Sequence, residues 1–203
     1  MRRGAAVAEA KRVAGKAGFD ARGWLNGVRH CLSPNHDARP AGVPVDLLVI
    51  HNISLPPGDF GSGTIEALFL NRLDPRADPF LATLSGLSVS THFLIERDGR
   101  TTQFVSCLDR AWHAGASEFE GRIACNDFSI GIELEGTDFV AFEASQYRAL
   151  AMLVSALQTR FALRAVRGHQ HIAPGRKTDP GPHFDWRRLA TEAALPAAML
   201  PAY

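Results

Sequence analysis

The chain has 203 residues, of which 46% are hydrophobic and 21% charged, with a net charge of +1 at neutral pH. This length and composition fit one compact domain with a substantial core. Spread basic residues and a near-zero net charge argue against a nucleic-acid-binding protein, and no apolar run approaches the roughly 18 residues that a membrane-spanning helix needs.

The N-terminal residues 1–22 are predicted to form an extension that is weakly helical or flexible, and residues 23–203 to form a single domain. The chain begins with two arginines, as secretion signals do, but Glu9, Lys11 and Lys16 interrupt the apolar segment that a signal requires. We therefore expect a cytoplasmic protein.

The first half of the domain contains strand signals and one short helix. A continuous apolar run over residues 45–51 predicts a strand buried on both faces. Residues 64–71 predict a helix with its apolar side chains facing inward. Residues 92–96 and 101–105 flank an Asp-Gly pair, which is typical of a β-hairpin.

The second half combines one strand with two helices. Residues 128–135 alternate in polarity and predict a further strand. Apolar residues at three- and four-residue steps predict a helix over residues 144–161 that packs across the sheet. Residues 185–194 predict a third helix, with Asp185 as its N-cap.

Three connections are long, at residues 54–63, 74–90 and 106–127. Loops of this length in a compact domain usually build a site or are disordered. The last connection contains Trp112, His113 and Phe119, and aromatic residues are uncommon in disordered segments. We therefore expect it to form an ordered rim.

The three cysteines, Cys31, Cys107 and Cys125, are widely separated and form no C-x-x-C pair. This spacing argues against a disulfide framework and against a thiolate zinc site. We expect them to be reduced.

The segment GHQHIAPGRKTDPGP at residues 168–182 places imidazole, ammonium and carboxylate groups in one proline-rich loop. Catalytic zinc is usually held by three histidine or carboxylate groups, which leaves a fourth position for water. His51, at the end of the first predicted strand, His169 and Asp179 can supply this set. His171 competes with His169, and the spacing of His51 alone favours a hydrogen-bonded core histidine over a ligand.

Four segments in order resemble the AmpD-type N-acetylmuramoyl-L-alanine amidases: HNISLPPGDFG, RAWHAG, CNDFSIGIELEGTD and GHQHIAPGRKTDPG. The resemblance implies an α/β (α+β) fold, with a central mixed sheet flanked by helices, shared with phage T7-type lysozyme and peptidoglycan recognition proteins. It also implies that Zn²⁺ is bound by His51, His169 and Asp179, with His171 at a variable position.

The same resemblance implies the reacting groups. Glu133 corresponds to the family's catalytic glutamate, a general base toward water, and Lys177 to a lysine that stabilises the oxyanion formed during attack. The residue pattern alone favours another interpretation, in which Glu133 faces solvent on a half-exposed strand beside Glu135 and Lys177 is an ordinary loop lysine.

Two further residues are candidates for substrate binding. Asn52 follows His51 and can present an amide, and Trp112 offers a face for sugar stacking; either could equally be structural. His113 is predicted to be a buried, hydrogen-bonded packing residue. Some family members carry arginines where this chain has Ser88 and Ala124, which would contact the peptide carboxylates, so Arg97, Arg122 or Arg176 would have to replace them.

The expected reaction is hydrolysis of the amide between the lactyl group of (1,6-anhydro-)N-acetylmuramic acid and L-alanine, in cytoplasmic peptidoglycan recycling. The expected partner is a small muropeptide, with no obligate protein partner. The alternatives are an amidase of intact cell wall and a non-catalytic peptidoglycan-recognition module.

Overall fold

The computed structural model describes residues 18–202. In this part of the chain ten strands are present: β1 (Arg29–His30), β2 (His36–Ala38), β3 (Leu47–Ile53), β4 (Phe93–Ile95), β5 (Thr101–Gln103), β6 (Asp109–Ala111), β7 (Glu118–Phe119), β8 (Arg122–Ile123), β9 (Ser129–Glu135) and β10 (Ala165–Gly168).

Five α-helices accompany them over the same part of the chain: α1 (Thr64–Phe69), α2 (Pro79–Ala82), α3 (Ala144–Arg160), α4 (His169–Ile172) and α5 (Trp186–Glu192). Short 3-10 turns lie at Cys125–Asp127 and Ala197–Met199. None of the helices described between residues 18 and 202 has both the length and the apolar character needed to cross a bilayer.

Six strands form the central sheet, in the order β1-β5-β4-β9-β3-β10. Strand β3 lies between β9 and β10 and runs parallel to both, and β4 is parallel to β9. Strand β5 is antiparallel to β4, so the sheet is mixed. The predicted fold class, a mixed sheet flanked by helices, is confirmed.

Helix α3 covers one face of this sheet. Its apolar side chains Leu150, Val154 and Leu157 are fully buried, in one cluster with Ile50 and Ile132 of the central strands. Side chains alternate between the faces of a strand, so the neighbouring odd-numbered positions of β3 and β9 face away from α3. His51 and Glu133 occupy such positions and lie directly opposite each other in the parallel register.

The strong sequence patterns are confirmed. The run at residues 45–51 falls on β3, the residues 128–135 on β9, and the periodic stretch at 144–161 on α3. The two runs around the Asp-Gly pair form the antiparallel pair β4–β5. Asp185 caps α5, because its side chain accepts a hydrogen bond from the backbone N–H of Arg188 at 2.9 Å.

Other features differ from the patterns. Strand β9 is not half-exposed, since each of its seven residues is buried. The connection at residues 106–127 contains β6, β7 and β8, and the connection at 74–90 contains α2. Strand β10 had no sequence signal, although it brings His169 next to β3.

The predicted N-terminal extension lies mostly outside the described residues, which begin at residue 18. Within residues 18–22, Phe19 packs edge-on against Phe93 and Phe161, with ring centroids 6.5 and 6.3 Å apart. The described part of that segment therefore contacts the core.

Candidate metal centre

The site lies where two parallel strands end. His51 is the fifth residue of β3, and His169 begins α4 directly after β10. Because parallel neighbours end at the same edge of a sheet, ligands commonly bind at this edge. The loop that follows α4 returns Asp179 to the same point, where the backbone N–H of Gln170 donates to the Asp179 carbonyl at 2.9 Å.

Three side-chain atoms converge at this edge. Nδ1 of His51 lies 3.0 Å from Nδ1 of His169 and 2.9 Å from Oδ2 of Asp179. Nδ1 of His169 lies 3.2 Å from the same Asp179 oxygen. Both histidines are buried and Asp179 is partly buried, and the three side chains form a group that could hold a metal ion.

The donor set fits zinc. Tetrahedral donors at about 2.0–2.1 Å from Zn²⁺ lie roughly 3.3 Å from one another, close to the three distances found here. Nε2 of His169 faces the carbonyl oxygen of Ala114 at 3.0 Å, a contact that requires its proton on Nε2. The neutral His169 ring therefore presents a lone pair from Nδ1 toward the Asp179 carboxylate, an arrangement that a cation stabilises.

The surroundings favour the protonation states that metal binding needs. Burial lowers the pKa of His51, although its close contact with the Asp179 carboxylate opposes this effect. Burial acts to raise the pKa of the Asp179 carboxyl, but its close contacts with His169 and His51 outweigh burial and hold that pKa below its ordinary range. The His51 imidazole is therefore neutral and the Asp179 carboxylate ionised at neutral pH.

Glu133 lies beside this group and is 9% exposed. Its Oε2 atom is buried and has no hydrogen-bond partner among residues 18–202. Burial, reinforced by the charge of Asp179 and opposed by Lys177, raises the pKa of the Glu133 carboxyl well above its ordinary value. An unpartnered buried carboxyl is costly to a fold, and such perturbed groups cluster at functional sites.

A cleft of about 240 Å³ opens over the site. The structure brings all the predicted site residues together in the lining of this cleft: His51, Asn52, Trp112, Glu133, His169, Lys177 and Asp179. His171 is directed elsewhere, with its Nδ1 accepting from the backbone N–H of Gly168 at 2.8 Å.

The two candidate substrate-binding residues, Asn52 and Trp112, differ in their contacts with the protein. The side-chain amide of Asn52 donates to Asp138 at 2.7 Å and to the Pro180 carbonyl at 3.1 Å, which ties the end of β3 to the Asp179 loop. Its amide oxygen is the atom available for a ligand. Trp112 is partly buried at the cleft wall.

The three candidate arginines are also placed differently. Arg97 pairs with Glu143 at 2.6 Å and Arg122 with Asp46 at 3.0 Å. Arg176 donates to the carbonyl of Ala114 at 2.8 Å and lines a second depression beside the cleft. Among these three, Arg176 is the one beside the candidate metal ligands.

The sequence did not reveal which residue His113 contacts. His113, predicted to be a buried, hydrogen-bonded packing residue, is partly buried, and its Nδ1 lies 3.0 Å from Nε2 of the candidate ligand His51. The available signal was its position in RAWHAG, between Trp112 and a small-residue turn; spacing alone could not reveal which ring it meets.

Comparison with known proteins gives the family. Residues 41–182 match the family model described as N-acetylmuramoyl-L-alanine amidase. The chain is 54% identical to the 1,6-anhydro-N-acetylmuramyl-L-alanine amidase AmpD of Citrobacter freundii, over 82% of this chain and 90% of that protein.

Solved structures agree. A crystal structure of a selenomethionine AmpD derivative superposes with a TM-score of 0.84 at 52% identity, covering 86% of this chain and 98% of the other. The Escherichia coli amidase AmiD, in complex with the substrate anhydro-N-acetylmuramic acid-L-Ala-D-γ-Glu-L-Lys, matches with a TM-score of 0.55 at 31% identity, covering 87% of this chain and 66% of that one. The family model and the AmpD relatives cover most of the chain, and their match agrees with the group of two histidines and an aspartate at the sheet edge. The chain therefore belongs to the N-acetylmuramoyl-L-alanine amidase family.

Proposed function

We propose that this amidase is zinc-dependent and hydrolyses the amide that joins the lactyl group of 1,6-anhydro-N-acetylmuramic acid to L-alanine, in the cytoplasmic recycling of peptidoglycan fragments. The observation that carries the proposal is the convergence of Nδ1 of His51, Nδ1 of His169 and Oδ2 of Asp179 within 3.2 Å of one another, beside the buried carboxyl of Glu133.

The substrate class is supported by the relatives. The AmpD proteins at about half sequence identity carry the anhydro-muramyl amidase name, and AmiD was solved with an anhydro-muramyl peptide bound. A cytoplasmic location fits the three free cysteines, because free thiols are maintained in reducing compartments.

Glu133 acts as the general base. It takes a proton from the water that attacks the lactyl carbonyl carbon, and it delivers that proton to the alanine nitrogen as the C–N bond breaks. Its raised pKa suits both steps, since a group that must accept and then release a proton works best with a pKa near the working pH. The products are the free anhydro sugar acid and the stem peptide with a free amine.

Lys177 stabilises the negative charge that develops on the carbonyl oxygen during attack. A zinc ion held by His51, His169 and Asp179 would supply Lewis-acid polarisation of the carbonyl and activation of water. Trp112 and the amide oxygen of Asn52 contact the sugar or the first peptide residue, since both line the cleft. Arg176 is our candidate for a stem-peptide carboxylate.

The deciding experiment measures zinc content and hydrolysis of anhydro-N-acetylmuramyl tripeptide, with intact murein sacculi as the competing substrate. We expect bound zinc, loss of hydrolysis with chelator, recovery on zinc addition, and a marked preference for the soluble peptide. Equal rates on sacculi would count against the recycling assignment, and full activity without metal would exclude the zinc assignment.

Two variants separate the roles. Glu133→Gln should keep its zinc while kcat falls by about 10²–10⁴, the range typical of general bases. His169→Ala should lose the metal together with the activity. Metal analysis of both purified proteins, alongside kcat, distinguishes a base from a ligand; an active glutamine variant would contradict the base assignment.

A further inference from the structure

The dipeptide His113–Ala114 touches both histidines of the metal site. The Ala114 carbonyl oxygen lies 3.0 Å from Nε2 of His169, and Nδ1 of His113 lies 3.0 Å from Nε2 of His51. Each histidine therefore has its Nε2 in contact with one residue of this dipeptide, while its Nδ1 faces Asp179.

The backbone of this dipeptide is itself held in place. The side-chain oxygen of Asn126 accepts hydrogen bonds from the backbone N–H groups of His113 at 3.1 Å and Ala114 at 2.8 Å. One amide thus fixes the two residues that support the two imidazoles.

A chain of hydrogen bonds runs from His51 through His113 to Ser129, and its protons can be assigned starting from Ser129. The Ser129 hydroxyl donates to the Cys125 carbonyl at 2.6 Å, so its oxygen is free to accept from Nε2–H of His113 at 3.3 Å. A neutral imidazole has one N–H, which leaves Nδ1 of His113 as an acceptor. It therefore accepts from Nε2–H of His51.

The consequence for His51 is a fixed tautomer. With its proton on Nε2, the neutral ring presents the Nδ1 lone pair to the point shared by His169 and Asp179. The opposite tautomer would put a proton on Nδ1, where it would hydrogen-bond to Asp179 and occupy the position that a metal needs.

Gly131 of strand β9 leaves space for the imidazole ring of His113. A Cβ atom on Gly131 would lie 2.5 Å from Cγ of His113 and 2.7 Å from its Nδ1, which is far inside van der Waals contact. Strand β9 therefore has no side chain where the imidazole of His113 rests, between Glu133 and Ser129 on the same face.

We propose that His113 is a positioning residue of the amidase: through Ser129 it selects the tautomer of His51 that can bind metal, and it holds the ring in the orientation that meets His169 and Asp179. This inference rests on the proposed metal site and extends it to a residue outside the set of candidate ligands.

The test compares two substitutions of nearly equal size. His113→Asn retains an acceptor oxygen near the position of Nδ1, whereas His113→Leu removes it. Zinc affinity is measured by competition with a chelator of known affinity. Loss of an outer hydrogen-bond partner typically weakens metal binding about 10–100-fold, so we expect the leucine variant to fall in this range and the asparagine variant to lie closer to the unaltered protein.

Two measurements add readouts other than activity. Imidazole nitrogen-15 shifts of the zinc-free protein should show His51 protonated at Nε2 in the unaltered protein and a mixture of tautomers in His113→Leu. Gly131→Ala displaces the His113 ring without altering its chemistry and should also weaken zinc binding. The same asparagine and leucine changes at the exposed residue His183 serve as the matched control and should leave affinity unchanged.

The outcomes separate the two proposals. If the unaltered protein binds no zinc, the proposed function and this inference both fail. If it binds zinc, and His113→Leu and Gly131→Ala bind it equally well, the positioning role alone is wrong. A purely packing role would make leucine as good as asparagine, so equal weakening by both substitutions would also overturn it.

Discussion

At the scale of single residues, burial decides chemistry that a sequence pattern leaves open. The alternation of β9 was compatible with a solvent-facing Glu133, yet the strand has neighbours on both sides and is covered on both faces. The neighbouring Glu135 is equally buried but satisfied, since it accepts from the backbone N–H groups of Gly61 and Arg97. Only the three-dimensional contacts distinguish the hydrogen-bonded carboxylate of Glu135 from the unpartnered one of Glu133.

Glu133 should lower the stability of the zinc-free protein at neutral pH. Burial raises its pKa in the folded state, so between the unfolded-state and folded-state pKa values the folded chain binds more protons than the unfolded one. Its contribution to stability is therefore complete below the unfolded-state pKa and is lost as pH rises. At neutral pH we expect the unfolding free energy of zinc-free Glu133→Gln to be about 1–3 kcal/mol higher than that of the unaltered zinc-free protein.

Denaturant unfolding of both zinc-free proteins across the pH range checks this expectation. The difference in unfolding free energy between Glu133→Gln and the unaltered protein should shrink toward zero near the ordinary glutamate pKa of 4.5. Glu135→Gln is the control, and it should destabilise the protein because it removes charge from a satisfied carboxylate. An advantage of Glu133→Gln that persists unchanged in acid would show that packing, and not charge, is responsible.

The candidate ligands illustrate how far residue-level prediction reaches. The residue pattern made His51 and Asp179 candidates, at a strand end and in a proline-stiffened loop, but the family resemblance was needed to choose them as ligands. The choice of His169 over His171 depended on family resemblance. Its physical reason is local: α4 starts at His169, and two residues later the His171 ring accepts a hydrogen bond from the Gly168 N–H.

At the scale of secondary-structure elements, length determined what could be predicted. Strands β3 and β9 and helix α3 each have seven or more residues, enough for a continuous apolar run in β3 and a clear periodicity in β9 and α3. Strand β10 has four residues, Ala-Val-Arg-Gly, too few for a period to emerge. It is a strand because β3 offers a free edge for parallel pairing, which is a property of the assembled sheet.

Helix α5 depends on its N-cap. The Asp185 side chain accepts from the N–H of Arg188, and its backbone N–H donates to the Tyr147 hydroxyl of α3 at 2.6 Å. Asp185→Ala should lower the unfolding free energy by about 0.5–2 kcal/mol, as loss of a cap usually does.

The matched control is Asp185→Asn, which keeps a capping oxygen and should cost far less. Zinc affinity should be unchanged in both variants, because the cap acts on α5 and not on the metal-site histidines. Thermal unfolding and chelator competition measure the two effects separately; a large change in zinc affinity would mean that α5 is coupled to the site.

At the scale of the whole molecule, the metal site and the fold should stabilise each other. Three electron-rich atoms meet within 3.2 Å, and a cation that binds only the folded state stabilises it by mass action. Zinc at about a hundredfold excess over its Kd should add about 2.7 kcal/mol. Calorimetric unfolding with and without chelator measures this difference.

Asp179→Ala provides the comparison for that measurement. It removes one of the three converging atoms, so chelator should shift its unfolding temperature much less than that of the unaltered protein. An equal chelator response in both proteins would show that zinc stabilises the chain somewhere other than this site.

The separation of the ligands along the chain has a consequence for biosynthesis. His51 precedes His169 by 118 residues, and the two meet only when β10 docks beside β3. A growing polypeptide that has not yet emerged as far as β10 therefore has half a site and no means of holding zinc there. At the zinc site that we propose, capture of the ion therefore follows closure of this sheet edge, and we expect no activity before β10 and the Asp179 loop have been synthesised and have docked.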